Sequence, residues 1–150
     1  EERDMRKLAI AVAFFALLCS TAIAGPREDA LQVVQQWTKK FMEFDVDGIT
    51  KLYAPDALFF GTSSNALVSD PEGIRKYFTR ALSRGGTVER KLDPSVLVLS
   101  DTVVVVTGVE NVTGVRDGKP FAATGRVTFV VAKRGADWQI AHFHRSRLPN

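Results

Sequence analysis

The sequence predicts an α+β fold in which N-terminal helices pack into the concave face of a curved, mainly antiparallel six-stranded sheet, a cone. Three observations carry this reading. Long stretches of helical apolar spacing occur only before Thr87. From Val88 onward the chain falls into strand-like runs separated by turn residues. Gly108, Gly114 and Gly125 lie inside those runs, where a sheet bends or bulges.

Ala30, Val33, Val34, Trp37, Phe41 and Phe44 form one helical stripe, and Pro26, Glu28 and Asp29 suit a first turn. Asp45-Val46-Asp47-Gly48 ends that helix, and a short second helix is expected over Asp47–Tyr53. Ala57–Gly61 reads as the first strand. Asp70-Pro71-Glu72 is a helix start, a capping residue followed by proline at the first helical position. Ile74, Tyr77, Phe78, Ala81 and Leu82 supply its buried stripe, and Gly85-Gly86 closes it. The other strands are Val88–Leu92, Ser95–Leu99, Val103–Val115, Pro120–Lys133 and Trp138–Arg145. Turns are expected at Asp93-Pro94, Asp101-Thr102, Arg116-Asp117-Gly118-Lys119 and Arg134-Gly135-Ala136-Asp137. The last three strands are long and tightly connected, an antiparallel meander. A cone of this kind is open at one end, and that opening is the default ligand site.

Residues 1–24 read as upstream residues plus a secretory signal peptide. Arg6 and Lys7 precede an apolar run from Leu8 to Leu18, and Ala22-Ile23-Ala24 places small residues where a signal peptidase reads them, with cleavage after Ala24. The apolar run is shorter than the roughly 20 residues a permanent span needs. The expected product is secreted or periplasmic, of bacterial type, with no membrane attachment after cleavage. Residues 25–150 then form a single domain with one core. Cleavage removes the only cysteine, so the mature domain has no disulfide, thiol nucleophile or thiolate metal site. The net charge of +3 is unchanged, because Glu1, Glu2 and Asp4 cancel Arg3, Arg6 and Lys7. Such a weak charge, without a basic stripe interleaved with aromatics, argues against nucleic acid.

The segment Trp138–Ser146 holds both histidines of the chain. Strand alternation places Trp138, Ile140, His142, His144 and Ser146 on one face, and Gln139, Ala141, Phe143 and Arg145 on the other. His142 and His144 could satisfy polar neighbours, pack across a dimer interface or line a pocket. Metal binding ranks below these, since two imidazoles need a third ligand and the mature chain has no further histidine or cysteine. Arg126 reads either as an anchor for a carboxylate or phosphate or as a structural ion pair, for instance with Glu110. Tyr53 either places its hydroxyl at the cavity mouth or completes the core. Trp138, Phe59 and Phe60 read as core.

The run Asp47-Gly48-Ile49-Thr50-Lys51-Leu52-Tyr53-Ala54-Pro55-Asp56-Ala57 resembles the helix-to-strand signature of the nuclear transport factor 2-like superfamily, including its SnoaL-like members. Gly125-Arg126-Val127-Thr128-Phe129-Val130, followed by Trp138-Gln139-Ile140-Ala141-His142-Phe143-His144-Arg145-Ser146, resembles the association domain of calcium/calmodulin-dependent protein kinase II and its small bacterial relatives. The resemblance implies a conical fold, a homodimer formed through the outer sheet face or a higher homo-oligomer, and a cavity that accepts a small acidic molecule. It implies ligand-binding roles for Arg126, His142, His144 and Tyr53. It does not imply kinase regulation, because the chain carries no kinase domain.

Two function classes follow. One is a secreted small-molecule-binding and oligomerisation domain without cofactor. The alternative is a cofactor-free isomerase, cyclase or hydratase of the SnoaL-like type. That enzyme would use His142 or His144 as general base and Arg126 or Tyr53 as donor to a developing oxyanion.

Overall fold

The computed structural model describes residues 25–149; the leader expected over residues 1–24 lies outside the described residues. Helix α1 (Pro26–Met42) opens with proline at its start, Glu28 and Asp29 in its first turn, and Lys39 and Lys40 in its last. Each of these favours the end it occupies. Its buried stripe is Ala30, Val33, Val34 and Trp37. Asp45 then caps α2 (Val46–Lys51), accepting from the Gly48 amide at 2.7 Å. After β1 (Tyr53–Phe60), Asp70 caps α3 (Pro71–Leu82) in the same way, accepting from the Gly73 amide at 2.7 Å. The rest is β2 (Thr87–Ser100), β3 (Val103–Arg116), β4 (Lys119–Arg134) and β5 (Asp137–Arg147).

The sheet order is β1-β5-β4-β3-β2, antiparallel except where β1 runs parallel to β5. Among the described residues the sheet has five strands rather than six. The expected turn at Asp93-Pro94 is instead the middle of β2, which pairs with β3 through Pro94 opposite Gly108. Because β2 is an edge strand, a proline without an amide hydrogen is tolerated there. Gly108 is required by the close approach, since a side-chain carbon on it would sit 2.0 Å from the Asp93 carbonyl oxygen. The β3–β4 turn is as expected: Asp117 and Gly118 take left-handed backbone, φ 51° and 72°, which matches the twist of a tight hairpin.

The helices cover the concave face. Trp37 stacks on Phe41 at 5.2 Å and meets Phe129 and Phe78 edge-on. Phe59 stacks on Phe143 at 5.1 Å. Val104, Val106, Val127, Val131 and Ile140 complete the floor of this core.

A bulge in β5 changes its alternation. Val130 pairs with His142 and Val131 with Ile140, so Ala141 is the extra residue. Ile140 and Phe143, three apart, are both buried in the core. The single face expected for Trp138, Ile140, His142, His144 and Ser146 is therefore divided. Trp138 and Ile140 face the core, while His142, His144 and Ser146 face outward. Phe143 and Arg145 turn inward in their place.

Candidate functional site

The concave face carries one cluster of charge. Glu110 on β3 is 1% exposed and accepts from two guanidinium groups: Arg90 Nε donates to Oε2 at 2.5 Å, and Arg145 Nε donates to Oε1. Arg90 Nη1 also donates to the Thr38 hydroxyl at 2.5 Å, tying β2 to α1. Arg145 Nη1 donates to Thr62 at 2.6 Å, tying β5 to the segment after β1. The Arg90 guanidinium lies 4.7 Å from the Trp37 ring centroid, a cation–π contact away from water. Burial pulls its pKa below the ordinary arginine value, and the adjacent Glu110 opposes that shift. Gly125 pairs with Glu110 across the strands. A side-chain carbon there would come within 2.9 Å of Arg145 Nη2, so the glycine makes room for the guanidinium.

One polar atom in this cluster lacks a partner. Among the described residues, Arg90 Nη2 is buried without a hydrogen-bond acceptor. A buried donor left open costs about 1–3 kcal/mol, more when charged. The Arg145 side chain, 17% exposed against 1% for Arg90, marks the side from which solvent reaches the cluster. The arrangement is a fixed cationic pair, held apart by one carboxylate, with an open donor. It suits an anionic oxygen.

The residues singled out from sequence sit elsewhere. Tyr53 is in the core, 4% exposed, and its hydroxyl accepts from Trp37 Nε1 at 3.0 Å. Burial pushes its phenol well above the ordinary value. Arg126 does not pair with Glu110; it projects from the outer face, with Nη2 3.5 Å from the Arg147 carbonyl. Arg126, His144 and Ser146 line a groove of about 620 Å³ on that face together with Asp93, Ser95 and Thr128. His142 lies one row away, opposite Val130 and Leu58. Partial burial lowers its pKa, while a hydrogen bond with the Leu58 backbone pulls the other way.

Sequence reasoning missed Arg90 and Arg145 as inward residues. For Arg90 and Glu110 a signal existed. Val88, Arg90 and Leu92 alternate on β2, and Val104, Val106, Gly108, Glu110 and Val112 alternate on β3, so each charge interrupts an apolar face and demands a buried partner. For Arg145 the signal was hidden by the bulge.

No curated protein matches the chain. Solved structures do. A candidate calcium/calmodulin dependent protein kinase II association domain from Xanthomonas campestris is 27% identical, with TM-score 0.75 over 82% of this chain and 88% of that one. A candidate dehydratase of the NTF2-like family from Streptomyces avermitilis shares the fold at 14% identity, TM-score 0.73, over 82% and 97% of the two chains. The kinase II hub homology domain of Chlamydomonas reinhardtii shares it at 21% identity, TM-score 0.69, over 81% and 97%. Residues 30–150 match the SnoaL-like domain, and with a cone of helices on a curved sheet in place the chain belongs to that NTF2-like family.

Proposed function

We propose that this chain is an exported, self-assembling binding module whose interior arginines hold a small acid. The observation that carries it is the open Arg90 Nη2 donor beside the Glu110–Arg145 pair. A carboxylate or phosphate oxygen supplies the missing acceptor, and two guanidinium groups within reach of one carboxylate leave a net positive charge for it. Export rests on the leader pattern of residues 1–24, and assembly on the likeness to association-domain and hub structures.

The enzymatic alternative takes His142 or His144 as base and Arg126 or Tyr53 as donor; His144 and Arg126 line the same outer groove, while Tyr53 lies in the core. Glu110 is engaged by both guanidinium groups, and His142 and His144 lie on the opposite face of the sheet from Arg90. Arg126 and His144 belong to the outer groove and Tyr53 to the core, so the acid site uses Arg90 and Arg145.

The test is a thermal-shift and calorimetric screen of the purified protein with acetate, malonate, benzoate and inorganic phosphate. At 100 times its dissociation constant, a bound acid adds about 2.7 kcal/mol to stability. Arg145→Met leaves the Arg90–Glu110 pair in place and should weaken that acid by roughly tenfold or more, a typical loss for one charge-assisted contact. If none of these anions stabilises the protein, the reading fails.

A further inference from the structure

The Arg90 Nη2 donor is out of reach of water, so an acid meets it only when part of the surrounding wall moves. Two parts of that wall hold the guanidinium pair through a hydroxyl. On the Arg90 side it is Thr38 of α1, at 2.5 Å, in a helix that fills the core with Ala30, Val33, Val34 and Trp37, each no more than 6% exposed. Lifting that helix would open the core. On the Arg145 side it is Thr62, at 2.6 Å, in residues 61–70 between β1 and α3, which are irregular apart from a bridge at Val68. Ser63, Asn65, Ala66 and Leu67 of this segment are exposed. Lifting it gives up little buried apolar surface, and segments of that kind open first.

The segment is fixed at its two ends. Phe59 and Val68 exchange backbone hydrogen bonds at 2.8 and 3.0 Å, which closes it on the edge of β1. Gly61 lies flat on Tyr77, where a side-chain carbon would stand 2.2 Å from the ring, and Gly73 admits Val68 in the same way. Between these ends Ser64 closes a turn, its amide donating to the Gly61 carbonyl at 2.9 Å and its hydroxyl accepting from the Gly61 amide at 3.0 Å. Among the described residues, Thr62–Arg145 is the one hydrogen bond that ties residues 62–67 to the sheet.

We infer that residues 62–67 are the gate of the acid site and that Thr62 is its latch. This rests on the acid-binding reading above and adds how that site is entered. Arg145 is the partly exposed guanidinium of the pair, with Nε held by Glu110 and Nη1 by Thr62. When Thr62 lets go, Nη1 turns into an open donor and meets the incoming carboxylate or phosphate oxygen first. The acid passes on to Arg90 Nη2, and Thr62 then re-forms its bond behind it. Thr62 therefore controls the rates of entry and exit, while Arg90 and Arg145 set the affinity.

Two measurements by nuclear magnetic resonance test this. One is proton exchange with water in the unliganded protein; the other is exchange broadening of the acetate methyl resonance or of the phosphorus resonance of inorganic phosphate. Thr62→Val keeps the shape of the side chain and deletes the hydroxyl. In it the Ser64 amide and the Arg145 Nε proton should exchange about tenfold faster, with the Arg90 Nε proton and the β3–β4 ladder amides unchanged, as for an opening confined to one segment. Thr62→Ser should restore the wild-type rates. The anion should enter and leave roughly tenfold faster in Thr62→Val while its dissociation constant stays within about threefold, whereas Arg145→Met weakens binding itself. Proton exchange that Thr62→Val leaves unchanged overturns the latch. Exchange that also quickens across the β3–β4 ladder assigns Thr62 to the stability of the whole fold and overturns it too. Faster opening with unchanged anion rates places the entrance elsewhere, while the acid-binding reading stands. Weaker binding at an unchanged entry rate makes Thr62 part of the binding site instead of its latch. Where neither anion binds the wild type the gate is overturned, and the acid-binding reading with it if malonate and benzoate also fail.

Discussion

The two faces of one sheet handle charge in opposite ways. On the concave face Glu110 accepts from Arg90 and Arg145, each guanidinium also reaches a threonine, and one nitrogen is left open. On the outer face Asp93 and Arg126 stand a strand apart from Val109 and from any ion-pair partner among the described residues. Adjacent residues on β3 belong to the two regimes: Glu110 is 1% exposed, Val109 44%. The physical reason is desolvation. A charge taken out of water must be paired and hydrogen-bonded within the molecule, whereas a hydrated charge can wait for a partner from outside.

Neutralising one acid on each face should separate the two regimes most widely. Glu110→Gln keeps the shape and leaves two guanidinium groups sharing a buried site with no counter-charge. The expected loss is about 3–5 kcal/mol, the usual result of removing one partner from a buried pair. Asp93→Asn, unfolded at concentrations below self-association, should stay within about 0.5 kcal/mol of wild type. Urea denaturation of both variants checks the contrast. Comparable losses would mean that the outer charges, like the inner ones, are already bound up in the stability of the single chain.

A smaller effect separates polar pairs that are buried from those that are not. Tyr53→Phe deletes the acceptor for Trp37 Nε1 and leaves a buried indole donor open. That should cost about 1–3 kcal/mol in thermal unfolding. On the outer face Thr128→Val removes the 2.8 Å contact with Thr107, but Thr107 keeps the Val127 carbonyl at 2.9 Å. Its expected change is within about 0.5 kcal/mol. Equal losses would show that the outer hydroxyl row is already excluded from water in the single chain.

Most of the architecture is readable from local signals. The caps at Asp45 and Asp70, the α1 stripe and the Asp117-Gly118 hairpin each rest on residues within a few positions of one another. What was not readable depends on residues far apart. Asp93-Pro94 has turn chemistry, and only its place on an edge strand opposite Gly108 keeps it extended. The interior cluster joins Thr38, Thr62, Arg90, Glu110 and Arg145, which come from five different segments. The bulge at Ala141 has the widest consequence. A one-residue slip exchanges the faces of everything beyond it, so His142 and His144 turn outward and Arg145 inward.

That exchange leaves His142 as the finest probe of the outer face. Its partial burial lowers the imidazole pKa below the ordinary 6.5, with His144 adding to the shift and the Leu58 backbone opposing it. Val130 on β4 and Leu58 on β1, which flank it across the strands, bring no counter-charge. A depressed value means that the folded state binds this proton less readily than the unfolded chain does. The contribution of neutral His142 is therefore intact above about pH 6.5 and declines as the pH falls through the folded-state pKa. The thermal midpoint of the wild type should fall faster than that of His142→Gln between about pH 7 and pH 5. Where a second copy covers this face, the same protonation introduces charge into the row that His142 shares with Leu97 and Val105, so the mass seen by light scattering should also fall. A midpoint that falls with a constant mass places His142 outside the interface. Parallel midpoint curves would mean that the imidazole is hydrated on both sides of folding, and that the face is open to water at this row.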